Sequence, residues 1–197
     1  EEWGLNDPLL ERYGRGVGNA VQGDLGKSYI TGRPIMDEVI PRLPITAQLM
    51  VVSIGLALLV AVPLGVLSAY REGSRTDQSV TGGALLGIST PNFLLGIFLI
   101  YFMAVKLQWF PAVGWVRISD SFTGNLKSMT LPVISLAVAE VAVYTRLVRS
   151  DMIATLQENY ILSARAKGLR DRFILFRHGL RPSSLTLITV VGLNMAS

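Results

Sequence analysis

One histidine, no cysteine and one acid inside an apolar run limit the chemistry this chain can do alone. His178 cannot form a multi-histidine metal site, and without cysteine there is neither a disulfide nor a thiolate nucleophile. No metal site is therefore expected. The pattern G-x-x-x-x-G-K-[ST] does not occur, so the chain lacks that phosphate-cradling loop. Two features remain: Glu140 within SLAVAEVAVY, and the basic stretch ENYILSARAKGLRDRFILFRHGLRP at 158–182. A carboxylate at membrane depth costs about 3 kcal/mol. Three roles for Glu140 stay open: pairing with a cation on a helix outside this chain, lining a pore, or relaying protons. The last would make the chain a proton-coupled secondary transporter. An intramembrane protease would need a Ser–His or paired-Asp site at that depth. His178 falls in the basic stretch and Glu140 is the sole deep acid, which argues against that class.

The elements that must position these residues are membrane helices. Half of the 197 residues are apolar and 16% are charged, against about 25% charged in soluble domains. Leu43–Tyr70 and Gln78–Val105 each run without Asp, Glu, Lys or Arg. Each exceeds the ~20 residues that cross a bilayer as a helix. A third span is expected over about 128–148, interrupted by Glu140. A fourth starts near Ser183 and is incomplete at 197. The chain opens Glu-Glu-Trp and stops inside an apolar run, and is read as a fragment lacking material at both ends.

Orientation follows from charge. Arg146–Arg181 holds eight of the eighteen basic residues against three acids, whereas 1–42 holds five against seven acids. Positive charge is retained in the cytoplasm. The loops 71–77 and 150–181 are therefore expected inside, and 1–42 and 106–127 outside. The sequence thus divides into an extracytoplasmic segment, 1–42, and a transmembrane domain, 43–197. In the outer segment Asn6-Asp7-Pro8 is a turn signal, with Asp7 a candidate helix cap. The basic stretch could contact anionic lipid as a secondary effect. Its position between two spans argues against nucleic acid.

Ser89-Thr90-Pro91-Asn92 predicts a kink inside the second apolar stretch. Pro91 and Asn92 are candidates for the pore or for helix packing, with the structural role favoured. Trp109 and Trp115 are expected at the interface, where an aromatic ring with one polar edge is stable. In the basic stretch, Tyr160, Ala164 and Gly168 recur at four-residue spacing and share one helical face. That face tapers from an aromatic ring to no side chain, and Gly168 is placed to end the helix. Arg165, Lys167, Arg170 and Arg172 offer charge to acidic partner groups or lipid headgroups. Spacing alone leaves a docking face and a bare amphipathic surface helix equally open.

Taken together, GDLGKSY (23–29), GRPIMDEVIPRLPIT (32–46), PLGVLSAYREGSRTD (63–77), STPNFLLGIFL (89–99), WFPAVGW (109–115), LPVISLA (131–137), TRLVRSDM (145–152) and the 158–182 stretch resemble the inner-membrane permeases of bacterial dipeptide, oligopeptide and nickel ABC importers. The likeness covers nearly the whole chain. The general coupling-loop pattern of such permeases places an acid near Leu162, which is absent. The peptide-permease form, Tyr-x-x-x-Ala-Arg-x-x-Gly, is present at Tyr160, Ala164, Arg165 and Gly168. Pro182 stands where that subfamily often has Asn. The resemblance implies an all-α, polytopic transmembrane bundle of the type I importer kind, multi-pass in the bacterial inner membrane, with a cytoplasmic coupling helix. It implies a non-enzymatic half of an ATP-driven translocation pathway. Its partners would be a second permease subunit, two ATP-binding subunits and an extracytoplasmic substrate-binding protein. Tyr160, Ala164, Arg165, Lys167, Gly168 and Leu169 would meet the ATPase. The sequence shows no metal-ligand cluster, which favours peptides over bare nickel as cargo.

Overall fold

The computed structural model describes residues 8–196. The cap expected at Asp7 and the end of the last apolar run at Ser197 lie outside them. Among the described residues every regular element is helical, apart from one isolated antiparallel bridge between Lys27 and Pro34. The chain falls into two compact units, residues 1–48 and 49–197.

The first unit holds α1 (Leu9–Val21), the bridge, and the short α2 (Ile35–Val39). Gly26, with φ +77°, donates its N–H to Asp24 Oδ1 at 2.8 Å and turns the chain toward the bridge. α1 carries Leu9, Leu10, Tyr13, Val17 and Val21, all exposed.

The second unit is organised around one long helix. α3 (Leu43–Tyr70) has the bounds of the first uncharged stretch. α4 (Arg75–Ser89) follows a tight turn, then breaks at Thr90–Pro91 into α5 (Asn92–Leu99), which continues as a π-helix over Ile100–Lys106. The two halves are bent by 94°. α6 (Phe122–Leu156) is 35 residues long, and packs with α4, α5 and α9. α7 (Asn159–Ala166) and α8 (Asp171–Phe173), the latter extended by a π-helical turn over Ile174–Gly179, lead into α9 (Leu180–Ala196). Two helical stretches, Ile35–Tyr70 and Phe122–Leu156, are long and apolar enough to cross a membrane. The bent pair α4–α5 makes a third if it counts as one span.

Helices meet in this unit through small residues. On α3, Ser53, Ala57, Ala61 and Gly65 recur every four residues and are all buried. In lipid there is no apolar driving force between helices, so close packing must supply the association. A methyl group at Gly65 would lie 2.8 Å from Val148 Cβ of α6 and 3.0 Å from the Thr145 carbonyl; one at Gly87 of α4 would lie 2.9 Å from Ala142 Cβ. Glycine is what lets both helices reach α6. Behind that contact Tyr144, Val148 and Met152 of α6 form a core with Ala57 and Ala61 of α3 and Leu187 of α9. Meanwhile Leu59, Leu86, Ile97 and Ile188 are exposed, as lipid-facing side chains must be.

α6 extends beyond the expected 128–148 at both ends. Ser121 Oγ accepts the N–H of Gly124 at 3.1 Å, so the helix is capped before the apolar residues begin. At the other end Arg149–Leu156 has no breaker, and helical hydrogen bonding continues past the hydrophobic run. At the break in the second stretch, Ser135 Oγ of α6 donates to the Asn92 carbonyl at 2.8 Å. That bond ties the start of α5 to α6.

Gly65→Ile should insert into the membrane normally but loosen the α3–α6 contact. Overpacking there should cost about 1–3 kcal/mol, read as a lower midpoint when the purified protein is unfolded by a denaturing detergent. An unchanged midpoint would contradict the close approach.

Candidate functional site

α7 begins at Asn159, after Glu158 in extended conformation, and is ended by a specific backbone arrangement. The Leu169 N–H donates to the Ala164 carbonyl at 3.3 Å and the Gly168 N–H to the Arg165 carbonyl at 2.9 Å. This pair of bonds is the Schellman C-cap, which requires a left-handed residue at its centre. Gly168 has φ +76°, and a Cβ built there meets no atom within 4 Å. Glycine is demanded here by the backbone, while the space beside it is open.

The sequence-predicted residues divide between two faces of this short helix. Ala164 is buried with Ile161 against Ile174, and the partly buried Leu156 covers the same cluster. Tyr160 is half-exposed, and its hydroxyl donates to the His178 carbonyl at 3.2 Å, tying α7 to the π-helical turn behind it. Arg165, Lys167, Gly168 and Leu169 are exposed, and so is Leu162. The taper from Tyr160 to Ala164 therefore leans toward the protein. The exposed residues include Leu162, Arg165, Lys167 and Leu169, two apolar side chains and two cations. Arg177 stacks on the Phe173 ring at 5.8 Å, and that ring meets His178 edge-on. These aromatic contacts brace the return toward α9. At that junction Ser183 Oγ donates to the Gly179 carbonyl at 2.9 Å and lies 3.3 Å from Thr155 Oγ1 of α6.

A second polar constellation lies where α3, α4 and α6 converge. Asp77 closes the charged turn before the uncharged stretch begins at Gln78, and it is 4% exposed. Its Oδ1 accepts Arg149 Nε at 2.6 Å and the Ser68 hydroxyl. Its Oδ2 accepts Arg149 Nη2 at 2.8 Å and the Gly73 N–H at 2.9 Å. The two-pronged Arg149 contact is the largest of several influences that hold the Asp77 carboxyl well below the usual carboxylate range, with desolvation opposing it. Nearby, the Tyr70 hydroxyl at the end of α3 donates to Asp171 Oδ2 of α8 at 3.1 Å. Sequence reasoning passed over this group. A signal existed in Ser74-x-x-Asp77, a helix-start pattern, but nothing in the sequence named Arg149 as its partner.

The pore candidates lie on different interfaces of α6. Asn92 packs toward Ser135 on the α5 side and lines a cavity of about 490 Å³ with Gly96, Gly114 and Ser128. Pro91 precedes it as the residue leading into α5. Glu140 faces α9, where its Oε2 accepts Asn194 Nδ2 at 2.9 Å; the same amide donates to the Tyr144 hydroxyl at 3.0 Å. On α9 its partner is thus a neutral amide. Among the described residues no group of three or more His, Cys, Asp or Glu could hold a metal ion.

Residues 61–197 match the family of binding-protein-dependent transport system inner membrane components. Among curated relatives, the chain is 42% identical over 200 residues to the oligopeptide transport system permease protein AppB of Bacillus subtilis, covering all of this chain and 63% of that protein. It is 35% identical over 189 residues to the oligopeptide transport system permease protein OppB of Salmonella typhimurium, covering 95% of this chain and 60% of the relative. A glutathione transport system permease protein, GsiC of Shigella flexneri, is 34% identical over 193 residues, covering 98% and 60%. The chain therefore spans about three-fifths of the length of these relatives.

The C-cap makes a prediction that needs no partner. Gly168→Ala places an L side chain in the left-handed region, at a cost of about 1–2 kcal/mol. The amides of Gly168 and Leu169 should exchange hydrogen faster as the end of α7 frays. Unchanged protection would show that the Schellman bonds do not hold this helix.

Proposed function

This chain belongs to the family of binding-protein-dependent transport system inner membrane components, and from that premise we propose that it forms half of the membrane pathway of an ATP-driven importer of di- or oligopeptides. The observation that carries the reading is the family match over residues 61–197, which takes in both α6 and the basic α7–α8 loop. Relatives named as oligopeptide permeases, at up to 42% identity among those given above, support the cargo class. The relative named as a glutathione permease has a small peptide as its cargo, which is consistent with it.

On this reading the protein does no bond chemistry. A second permease subunit completes the pathway, two ATP-binding subunits hold ATP and Mg, and an extracytoplasmic binding protein delivers the peptide. The membrane is the bacterial inner membrane, with 1–42 outside and the coupling loop 150–181 inside. Tyr160, Ala164, Arg165, Lys167, Gly168 and Leu169 belong to the segment that meets the ATPase. Within it, Leu162 and Leu169 offer apolar contact while Arg165 and Lys167 offer charge to acidic groups. Ala164 and Tyr160 act from beneath, by fixing α7 on the protein. The comparisons lend no support to a proton-coupled carrier built on Glu140.

Two substitutions at Gly168 separate the cap from the docking surface. Gly168→Trp adds bulk on the open side as well as strain, and should abolish uptake and reduce ATPase retention in a pull-down, with membrane insertion intact. Gly168→Ala adds the strain without the bulk and should retain the ATPase. Arg170→Ala should do much less than Gly168→Trp, since an exposed ion pair contributes about 0–1 kcal/mol. Normal uptake and normal ATPase retention in Gly168→Trp would sink the coupling assignment.

A further inference from the structure

α7 is mounted on the corner between α3 and α4 from both of its flanks. Upstream, Arg149 sits on α6 seven residues before that helix ends at Leu156, and α7 begins three residues later at Asn159. Arg149 grips Asp77 through two hydrogen bonds of 2.6 and 2.8 Å. Asp77 in turn holds Ser68 of α3 and the Gly73 N–H of the turn. Downstream, Asp171 follows α7 by five residues and accepts the Tyr70 hydroxyl from the last residue of α3. One carboxylate thus joins α3, its turn, α4 and α6, and a second contact returns from beyond α7 to the same corner.

The chemistry of the Asp77 contact suits a joint that must not slip. A guanidinium and a carboxylate meeting along two parallel bonds fix orientation as well as distance. Asp77 is 4% exposed, so water cannot readily replace a lost partner there. A surface ion pair would exchange partners freely; opening this one would leave the buried Asp77 carboxylate without its cation, while the Arg149 side chain is 27% exposed. At the far end of α4 the chain behaves differently. The break at Thr90–Pro91 interrupts the helix, and the two halves meet at 94°. A rigid corner at one end of α4 and a discontinuity at the other make a lever with a flexure.

We propose that the Asp77–Arg149 pair is the joint that carries displacement of α7 into the α3–α4 corner and on to the break before Asn92, so that α4 and α6 move as one body during transport. This rests on the reading of α7 as the ATPase-facing element. Asp77, Arg149 and Ser68 are positioning residues; none is assigned to cargo or to nucleotide. Motion is taken up at the Ser89–Asn92 break and not between α4 and α6.

The test uses the complete transporter with its ATPase and binding protein, reconstituted in lipid vesicles. Uptake per ATP hydrolysed is compared for Asp77→Asn, Arg149→Gln and the double variant. The single variants should keep the ATPase bound and hydrolysing ATP, yet lose about tenfold or more in uptake per ATP, the scale of a typical coupling between sites. The double variant should be no worse than either single, because both act on one joint. Full uptake per ATP in both singles, with wild-type uptake still requiring ATP, would overturn the joint while leaving the α7 reading intact. Wild-type uptake that does not require ATP would overturn the α7 reading itself.

A measurement on otherwise unaltered side chains covers the case in which these variants fail to assemble. Spin labels at the exposed Arg75 of α4 and Arg146 of α6 should keep one separation in the nucleotide-free and ATP-trapped states. Labels at Leu85 and Leu94, which flank the break, should change theirs. A changed Arg75–Arg146 separation would overturn the proposal whatever the variants do.

Discussion

Everything in the second unit depends on how closely other helices can approach α6. Lipid offers no apolar reward for helix association, so contact must come from backbone-distance packing and from polar groups that find partners inside the bundle. The glycines at 65 and 87 allow the first, with α6 atoms 2.8–2.9 Å from where their Cβ atoms would be. Ser135, Arg149 and Glu140 supply the second, each bonded to a different neighbour of α6: the Asn92 carbonyl, Asp77 and Asn194. A single helix thereby meets α5 just past the break, holds the α3–α4 corner and seats α9. It then runs on past its apolar section to deliver α7.

That arrangement sets the division of labour in the loop. α7 has eight residues, too few to be stable alone in water. It is held by burial of Ile161 and Ala164, by the Tyr160 hydroxyl and by the Schellman cap at Gly168. With Ile161 and Ala164 buried and Gly168 committed to the cap, Leu162, Arg165, Lys167 and Leu169 remain exposed beside a half-exposed Tyr160. A face that mixes two apolar side chains with two cations suits a partner surface that mixes apolar and acidic groups. Tyr160 and Gly168 set the position and the end of α7.

How much of this could be read from the residues depends on the range of the interaction. Leu43–Tyr70 was legible as a helix because its 28 uncharged residues leave lipid-spanning helix as the one economical conformation. The break was legible at Pro91, since proline removes a helical hydrogen bond and the neighbouring Ser, Thr and Asn tolerate the gap. Gly168 was legible as a helix end through local backbone chemistry alone. The extent of α6 was not, because its limits at Phe122 and Leu156 are set by capping and by the absence of breakers, while the apolar signal stops earlier. The partners of Asp77 and Glu140 lie 72 and 54 residues away, and periodicity carries no information at that separation. For Glu140, the three roles weighed from sequence did not include an amide on a neighbouring helix of the same chain.

If α7 is the ATPase-facing element, its Leu162 side meets the ATP-binding subunit. These 197 residues hold no cysteine, so one placed at Leu162 is their single thiol and can carry a cross-linker in the assembled transporter. The account predicts a short-span cross-link from that position to the ATP-binding subunit, formed in transport-competent vesicles and weakened when the binding protein or ATP shifts the conformational state. A transporter that remains fully active yet yields no such product from Leu162, while linking readily from the buried side of α7, would contradict it.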